Sequence, residues 1–422
     1  MNDDAATRSI ETRARTFIAE LASGAWAHPK TAFDAAMTSA VPADTLEGLW
    51  RALEKDAGAF RAIEGVKELE EGGHRVAHVT CRFDRGAKTL RLVFDREDKL
   101  AGMFVRPPEA AAWTAPSYAD VGAFEERDVE IGDAALPGTL TTPKGAGPFP
   151  AIVLVHGSGP NDRDESVGAV KPFKDLAWGL ASRGVAVLRY VKRSRHAPAG
   201  IVTQRDEVES PARDAVELAR RAPGVDPKRV FLLGHSQGGY LAPRIAAADP
   251  GLAGVVILAG STCPLVDSLI DQLEYFATLS PADASLRATL ADARAFKRRV
   301  EAPGLRADEE LVFPVGGKLT GAYFLDVRGY DPPATAKTLA CRLLVLQGER
   351  DYQVTAKDFD GWKAALGSRP KATLKTYASL NHLFVSGEGP PGPAEYERPG
   401  HVDERVVADV AAWIAGAERR GP

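Results

Sequence analysis

Residues 231–242 read FLLGHSQGGYLA, and the fold turns on what surrounds Ser236 within them. RVFLL ends just before the serine and GGYLAPRIAAA opens a helical pattern just after it. A G-x-S-x-G stretch alone is a weak signal. In a sharp strand-to-helix turn it has a physical meaning. The turn strains the serine outward and brings backbone close to backbone, an approach that Gly234 and Gly238 tolerate because they carry no Cβ. The helix N-terminus also offers unpaired N–H groups to a developing negative charge. A serine that merely caps a helix gives the same local pattern, so the flanking sequence has to decide.

Working outward, apolar runs alternate with helical patterns. FPAIVLV (149–155) is continuously apolar, as a strand buried on both faces is. PFKDLAWGLASRG, VAVLRY, ESPARDAVELARRA and KRVFLLGHS continue the alternation toward Ser236, and LAGVVILAG follows its helix. CRLLVLQGERD, TAKDFDGWKAALG, KATLKTY and DERVVADVAAWIAGAE complete it. Strands alternating with helices predict an α/β fold, a mostly parallel sheet covered on both faces. Roughly 80 residues separate VVILAG from CRLLVLQG, far longer than a usual connection. They carry two helical patterns, 264–279 and 282–302. We read 262–338 as an inserted lid over the C-terminal edge of the sheet. Within it Leu273, Tyr275, Phe276 and Leu279 are candidates for an acyl pocket, and equally for the lid's own core.

A serine nucleophile needs a base and a group that orients it, in chain order serine, acid, histidine for this architecture. Of eight histidines, only His382 and His401 follow the next plausible acid. His382 lies in the loop directly after KATLKTY. His401 stands at the entry to the last helix, where a surface or capping role suits it better. Asp351 stands just past the strand LLVLQG, with Glu349 as its nearest alternative and Asp326 and Asp331 more remote. Asp351 could instead cap the following helix, although Thr355 is closer to that helix. The strand at 149–155 ends in His156-Gly157-Ser158-Gly159, the place of a loop that donates an oxyanion N–H. The expected oxyanion hole is therefore the backbone N–H groups of Ser158 and Gln237. Arg189, Lys192, Arg193 and Arg195 form a basic cluster, read as solvated or structural rather than anion-binding. Arg163 is explained as well by an internal ion pair as by a place near the site.

The first 110 residues are of another kind. Helical spacing at 7–24 and 43–58 is followed by alternating strands at 74–84 and 88–98 and a third from 99, ended by Pro107 and Pro108. That is a small α+β domain over 1–110, then a linker at 111–123 and the α/β domain at 124–422. Net charge is −4 with Lys and Arg spread along the chain, so no nucleic-acid partner is expected. No apolar run is long enough for a membrane span, and the charged N-terminus lacks an h-region. Three scattered cysteines, Cys81, Cys263 and Cys341, argue for a reducing cytoplasm and buried thiols rather than a disulfide framework. This first domain lacks any clustered His, Cys or carboxylate set with metal-ligand spacing, and a serine acyl-enzyme mechanism requires neither metal nor organic cofactor.

HGSGPNDRDE, KPFKDLAWGLASRGVAVLRY, GHSQGGYLAPRIA, LVLQGERDYQVT and LNHLF with PAEYERPGHVD resemble the α/β-hydrolase fold over roughly 120–420. They look more closely like the bacterial serine carboxylesterases of EstD type. That resemblance implies Ser236, Asp351 and His382 as the triad, a carboxylic ester of modest acyl length as substrate, and an NTF2-like module as the first domain. Such modules often dimerise, so the first domain could form a homodimer or could pack over the pocket entrance, and the sequence does not choose between the two. The chain departs from the family at Val191, where an Asp usually precedes Lys-Arg, and a supporting salt bridge near the oxyanion loop is thereby put in doubt. Two enzymatic alternatives stand beside the esterase: an aminopeptidase holding a free amine with Asp267, Asp271 or Glu274, and a thioesterase or lactonase. A catalytically silent binding protein on the same scaffold is the non-enzymatic one.

Overall fold

Alternating strands near the N-terminus and continuous apolar strands after it sort the chain into two compact units, 1–111 and 112–422. The computed structural model describes residues 10–26, 32–34, 37–38, 41, 43–71, 74–106 and 113–416. The first unit holds helices α1 (Ile10–Ala22) and α2 (Ala43–Ala57) and an antiparallel meander, β1 (Phe60–Glu71), β2 (His74–Phe83), β3 (Gly86–Phe94) and β4 (Leu100–Arg106), paired in chain order. Ile10, Ala14, Phe17, Ile18 and Leu21 recur at helical spacing, so α1 buries one stripe. The stripe belongs to a core that also takes in Ala77, Val79 and Cys81 of β2 and Leu90 and Leu92 of β3. Strand β1 was not read from the sequence. It is an edge strand, and the charged run in EGVKELEE hides its alternation. Pro107 and Pro108, expected to end the last strand, lie outside the described residues.

The second unit is built on an eight-stranded sheet. Its strands are β5 (Phe124–Ile131), β6 (Leu136–Pro143), β7 (Phe149–Val155), β8 (Ala186–Tyr190), β9 (Val225–His235), β10 (Gly254–Leu258), β13 (Arg342–Gly348) and β14 (Ala372–Tyr377). Their order across the sheet is β14-β13-β10-β9-β7-β8-β6-β5. The six strands from β14 to β8 run parallel; at one edge β6 pairs antiparallel with β8, and β5 antiparallel with β6. This is an α/β-hydrolase-type sheet, mostly parallel as expected. The continuous apolar runs follow from burial on both faces. On one face α4 (Ser210–Arg221), α5 (Gln237–Ala247) and α9 (Ala356–Leu366) cover Val153, Val155, Leu232 and Val255. On the other, α3 (Pro172–Ala181) and α10 (Glu404–Ile414) cover Ile152, Leu154, Phe231 and Leu233.

Three features depart from the sequence reading. Strands β5 and β6 were missed, because FEERDVEI exposes most of its charged residues at the sheet edge. Residues 113–123, expected to be a linker, are anchored within the second unit: Trp113 Nε1 donates to Asp175 at 2.8 Å and the Tyr118 hydroxyl to the Val402 carbonyl at 2.7 Å. The insertion between β10 and β13 holds the two expected helices, α6 (Leu265–Leu279) and α7 (Ala284–Glu301), but also a hairpin, β11 (Glu310–Val312) with β12 (Lys318–Thr320), and α8 (Pro332–Thr338). Three-residue strands carry too little pattern to read. Among the described residues no helix is long and apolar enough to cross a membrane.

Arg189 ties the antiparallel edge to the parallel core. Only 3% exposed, it donates to Asp164 at 2.9 Å and to Glu126 of β5 at 2.8 Å, and to Thr141 of β6 at 3.0 Å. It is structural, not an anion receptor. Arg163 likewise is paired with Asp128 at 2.7 Å. Removing a buried cation strands its carboxylates, so Arg189→Met is expected to lower the unfolding free energy by about 3–5 kcal/mol. Urea unfolding followed by far-UV circular dichroism measures this.

Candidate active site

Ser236 occupies the turn between β9 and α5 with φ 52° and ψ −114°, a backbone region that non-glycine residues rarely enter. Holding it there costs on the order of 1–3 kcal/mol, so the surroundings must enforce it. They do so by contact. A Cβ on Gly234 would lie 2.1 Å from the Gly238 carbonyl oxygen, and one on Gly238 would lie 2.3 Å from the Val155 oxygen. Both glycines are therefore demanded by the packing of the turn against itself and against the end of β7. The Ser236 N–H donates to Leu258 at 3.0 Å, which ties the turn to β10.

Asp351 and His382 meet at the same end of the sheet. His382 Nδ1 and Asp351 Oδ2 are 2.6 Å apart, and both residues are buried. Asp351 Oδ1 accepts the N–H groups of Gln353 and Val354 at 2.8 and 2.9 Å, and Oδ2 also accepts Gln347 Nε2 at 3.0 Å. With Nδ1–H given to the carboxylate, His382 Nε2 is left as the acceptor. The residue before the serine reaches the same histidine: His235 Nε2 donates to the His382 carbonyl at 3.0 Å, with the two rings 4.6 Å apart. The ring bond of His382 is the one to Asp351, and Ser236 Oγ is not closed onto its other nitrogen.

The alternative residues are engaged elsewhere. Glu349 accepts from Thr376, Asp326 pairs with Arg244, and Asp331 caps α8. His401 lies 3.1 Å from Asp175. Thr355 and Asp358 form the capping box of α9, which frees Asp351 from that task.

Ser158 and Ser236 line a small cavity of about 40 Å3 with Gln237, Gln204, Tyr240, Cys263 and Gln353 among the walls. As the first helical residue, Gln237 has an N–H with no acceptor inside the helix. The cavity shares Ser158, Gln237, Leu265, Gln272 and Gln353 with a larger one of about 690 Å3. That cavity is walled by Pro160, Pro198, Ile201, Leu269, Phe313 and Tyr323, among others. The expected pocket residues are not there. Leu273 packs with Leu290 and Ala293 inside the insertion. Tyr275 and Phe276 join a cluster with Tyr352 and Tyr396, and the Tyr275 hydroxyl donates to the Pro391 carbonyl. Leu279 is half exposed. In α6 the side chains that reach the cavities, Leu265, Leu269 and Gln272, come from the earlier turns of the helix, N-terminal to the residues first considered. Cys263, expected to be a buried thiol, is half-buried on the cavity wall, and Cys341 is half-buried as well.

A buried polar network under the loop after β7 was not foreseen. Lys192, 2% exposed, donates to the Gly157 carbonyl at 2.7 Å and to Gln237 Oε1 at 2.9 Å, and its ammonium lies 3.2 Å from Glu207. Tyr323 of the insertion donates to Glu207 at 2.6 Å and accepts from Gln237 Nε2 at 2.9 Å. Burial works against the Glu207 carboxylate, but the Lys192 charge and the Tyr323 hydroxyl outweigh it and hold its pKa below the ordinary value. Glu207 thus supplies the carboxylate that Val191 does not. No sequence pattern pairs two residues so placed, since Lys192 follows β8 and Glu207 lies in the irregular turn before α4. A second pair, Glu165 and His235, underlies the serine. Glu165 Oε1 accepts the Gly157 N–H at 2.5 Å, and its Oε2 lies 2.9 Å from His235 Nδ1, off the line of a straight hydrogen bond. Burial alone would lower the His235 pKa, yet the Glu165 charge raises it. Among the described residues no group of three or more His, Cys, Asp or Glu is placed to hold a metal ion.

A profile described as Alpha/beta hydrolase family matches residues 152–403. Esterase EstD of Thermotoga maritima is 39% identical over 373 residues, 88% of this chain and 87% of that protein. The chain belongs to the EstD-type esterases of the α/β-hydrolase family. A second profile, described as Protein of unknown function (DUF3887), matches 14–103 of this hydrolase, within the first unit. More distant solved structures include Est1E from Butyrivibrio proteoclasticus, at 16% identity, 69% of this chain, 98% of that one and a TM-score of 0.45. A Mycobacterium tuberculosis puromycin-hydrolyzing peptidase has 16% identity, 84% of this chain, 48% of that one and the same TM-score of 0.45.

The loop after β7 also sets a pH response in this hydrolase through His156. Burial, opposed by the Glu165 charge and aided by Lys192, pushes the His156 imidazole down to about 4. The folded protein keeps the ring neutral while the unfolded chain protonates it near 6.5. Between these values the unfolded state binds the extra proton, so stability falls as pH falls, by roughly 3 kcal/mol at most. His156→Asn is expected to lack this part of the acid slope when urea unfolding is measured from pH 7 to pH 4.

Proposed function

We propose that this hydrolase cleaves carboxylic esters of small molecules with Ser236 as nucleophile. The observation that carries the reading is Ser236 at positive φ in the turn, together with the 2.6 Å His382–Asp351 contact at the same sheet end. His382 Nε2 takes the hydroxyl proton as Ser236 Oγ bonds to the ester carbonyl carbon. Asp351 holds the imidazole tautomer and stabilises the imidazolium. The carbonyl oxygen becomes an alkoxide facing the N–H groups of Ser158 and Gln237. Its collapse breaks the bond to the alcohol oxygen, which leaves with the proton from His382. Water, deprotonated in turn by His382, then hydrolyses the acyl-enzyme and restores the serine.

The cavities inform the substrate. Apolar walls with the amides of Gln272 and Gln353 suit an uncharged acyl or alcohol group of short to medium length. The insertion acts as a lid through Leu265, Leu269, Phe313 and Tyr323 rather than through the side chains first considered. An aminopeptidase needs a free carboxylate for the substrate amine, and the three considered are each paired: Asp267 with Lys297, Asp271 with Lys357 and Glu274 with Arg294. Glu207, in the cavity wall, is committed to Lys192. The likeness to Esterase EstD supports the ester reading.

p-Nitrophenyl acetate, butyrate and octanoate are expected to be hydrolysed, and aminoacyl p-nitroanilides not. Ser236→Ala should lower kcat by roughly 10⁴-fold or more with an unchanged circular dichroism spectrum. Comparable turnover by that variant, or preference for the anilides, rules the proposal out.

A further inference from the structure

The esterase chemistry makes no direct use of the buried Lys192 ammonium. Its hydrogen bond goes to the Gly157 carbonyl, 2.7 Å away. That carbonyl belongs to the same peptide unit as the Ser158 N–H. In a trans peptide the C=O and N–H point in opposite directions. A cation fixed behind the carbonyl therefore directs the N–H to the far side. It also draws electron density toward the oxygen and makes the N–H a stronger donor, as hydrogen bonds in series polarise one another.

The rest of the loop is held to match. The Gly157 carbonyl takes a second donor, Asn161 Nδ2 at 3.1 Å, and the Gly157 N–H is taken by Glu165. Neighbouring peptides cannot easily rotate. Lys192 also donates to Gln237 Oε1 at 2.9 Å, and Gln237 Nε2 is fixed on Tyr323. One ammonium thus contacts the carbonyl of the peptide that carries the Ser158 N–H and the side chain of Gln237. Burying a lysine is expensive without a counter-charge, and Glu207, 3.2 Å away, provides it.

Resting on the esterase reading, we propose that Lys192 is a positioning residue that orients and polarises the Gly157–Ser158 peptide, and fixes Gln237, so that the oxyanion hole is set before substrate arrives. It touches no substrate atom. The charge matters most where the carbonyl oxygen becomes an alkoxide, so the effect falls on kcat rather than on KM.

The test compares wild type, Lys192→Met and Lys192→Met/Glu207→Gln with p-nitrophenyl butyrate, all checked by circular dichroism. Methionine keeps the length of the stem without the charge, and the double variant avoids an unpaired buried carboxylate that would unfold the single one. We expect kcat to fall about 10- to 100-fold, less than the roughly 10²–10³-fold of losing a whole donor, with KM changed less than about threefold. Affinity for an alkyl trifluoromethyl ketone, which forms a tetrahedral alkoxide on the serine, should fall in parallel with kcat. A folded double variant with kcat within about threefold of wild type, or with its loss confined to KM, overturns the proposal alone. A wild-type protein that neither turns over the ester nor labels at Ser236 with a fluorophosphonate overturns the esterase reading and this proposal with it.

Discussion

The turn at Ser236 brings three backbones within contact distance, and the rest of the second unit is arranged to permit it. The Gly234 Cα faces the Gly238 carbonyl, and Gly238 faces the end of β7. That closeness fixes β9 against β7, starts α5 at Gln237 and holds a serine in a strained conformation. A strained residue persists only where its neighbours leave no alternative. The flanking parallel strands, covered on both faces by apolar side chains, supply that rigidity. The loops after β13 and β14 then bring Asp351 and His382 to the same end of the sheet.

Residues with strong local signatures were legible in the sequence. Continuous apolar strands, helical stripes and a G-x-S-x-G turn each follow from a short-range physical rule, and Ser236, Asp351 and His382 stand on the elements that the alternation assigned to them. The misses share a different cause. β1 and β5 are edge strands whose charged residues face outward, so their pattern reads as solvated chain. The hairpin of the insertion has strands too short to show a period. Leu273, Tyr275 and Phe276 are apolar residues on an amphipathic helix, and the helix alone does not say which of its turns meets the cavity. That choice is made by packing against α7 and against Tyr352 and Tyr396, partners distant in sequence.

Buried ionic contacts were the least legible of all. Arg189 and Lys192 sit in a basic stretch that reads as surface, yet each is almost wholly enclosed. Their carboxylates come from β5, from the loop after β7 and from the turn before α4. Such pairs are specified by three-dimensional proximity, and a linear sequence gives no spacing rule for them. Val191 illustrates the point: the residue where a carboxylate was expected is apolar, and the lysine beside it finds its counter-charge in Glu207 instead.

Tyr323 hangs from the insertion but hydrogen-bonds Gln237 and Glu207 at the base of the loop after β7. The segment that shapes the chamber and the machinery that reacts are therefore mechanically one piece. Grafting a relative's insertion onto this scaffold changes selectivity and turnover together, and a lineage drifting toward new esters has to keep a phenol at this position or rebuild the floor beneath Ser236.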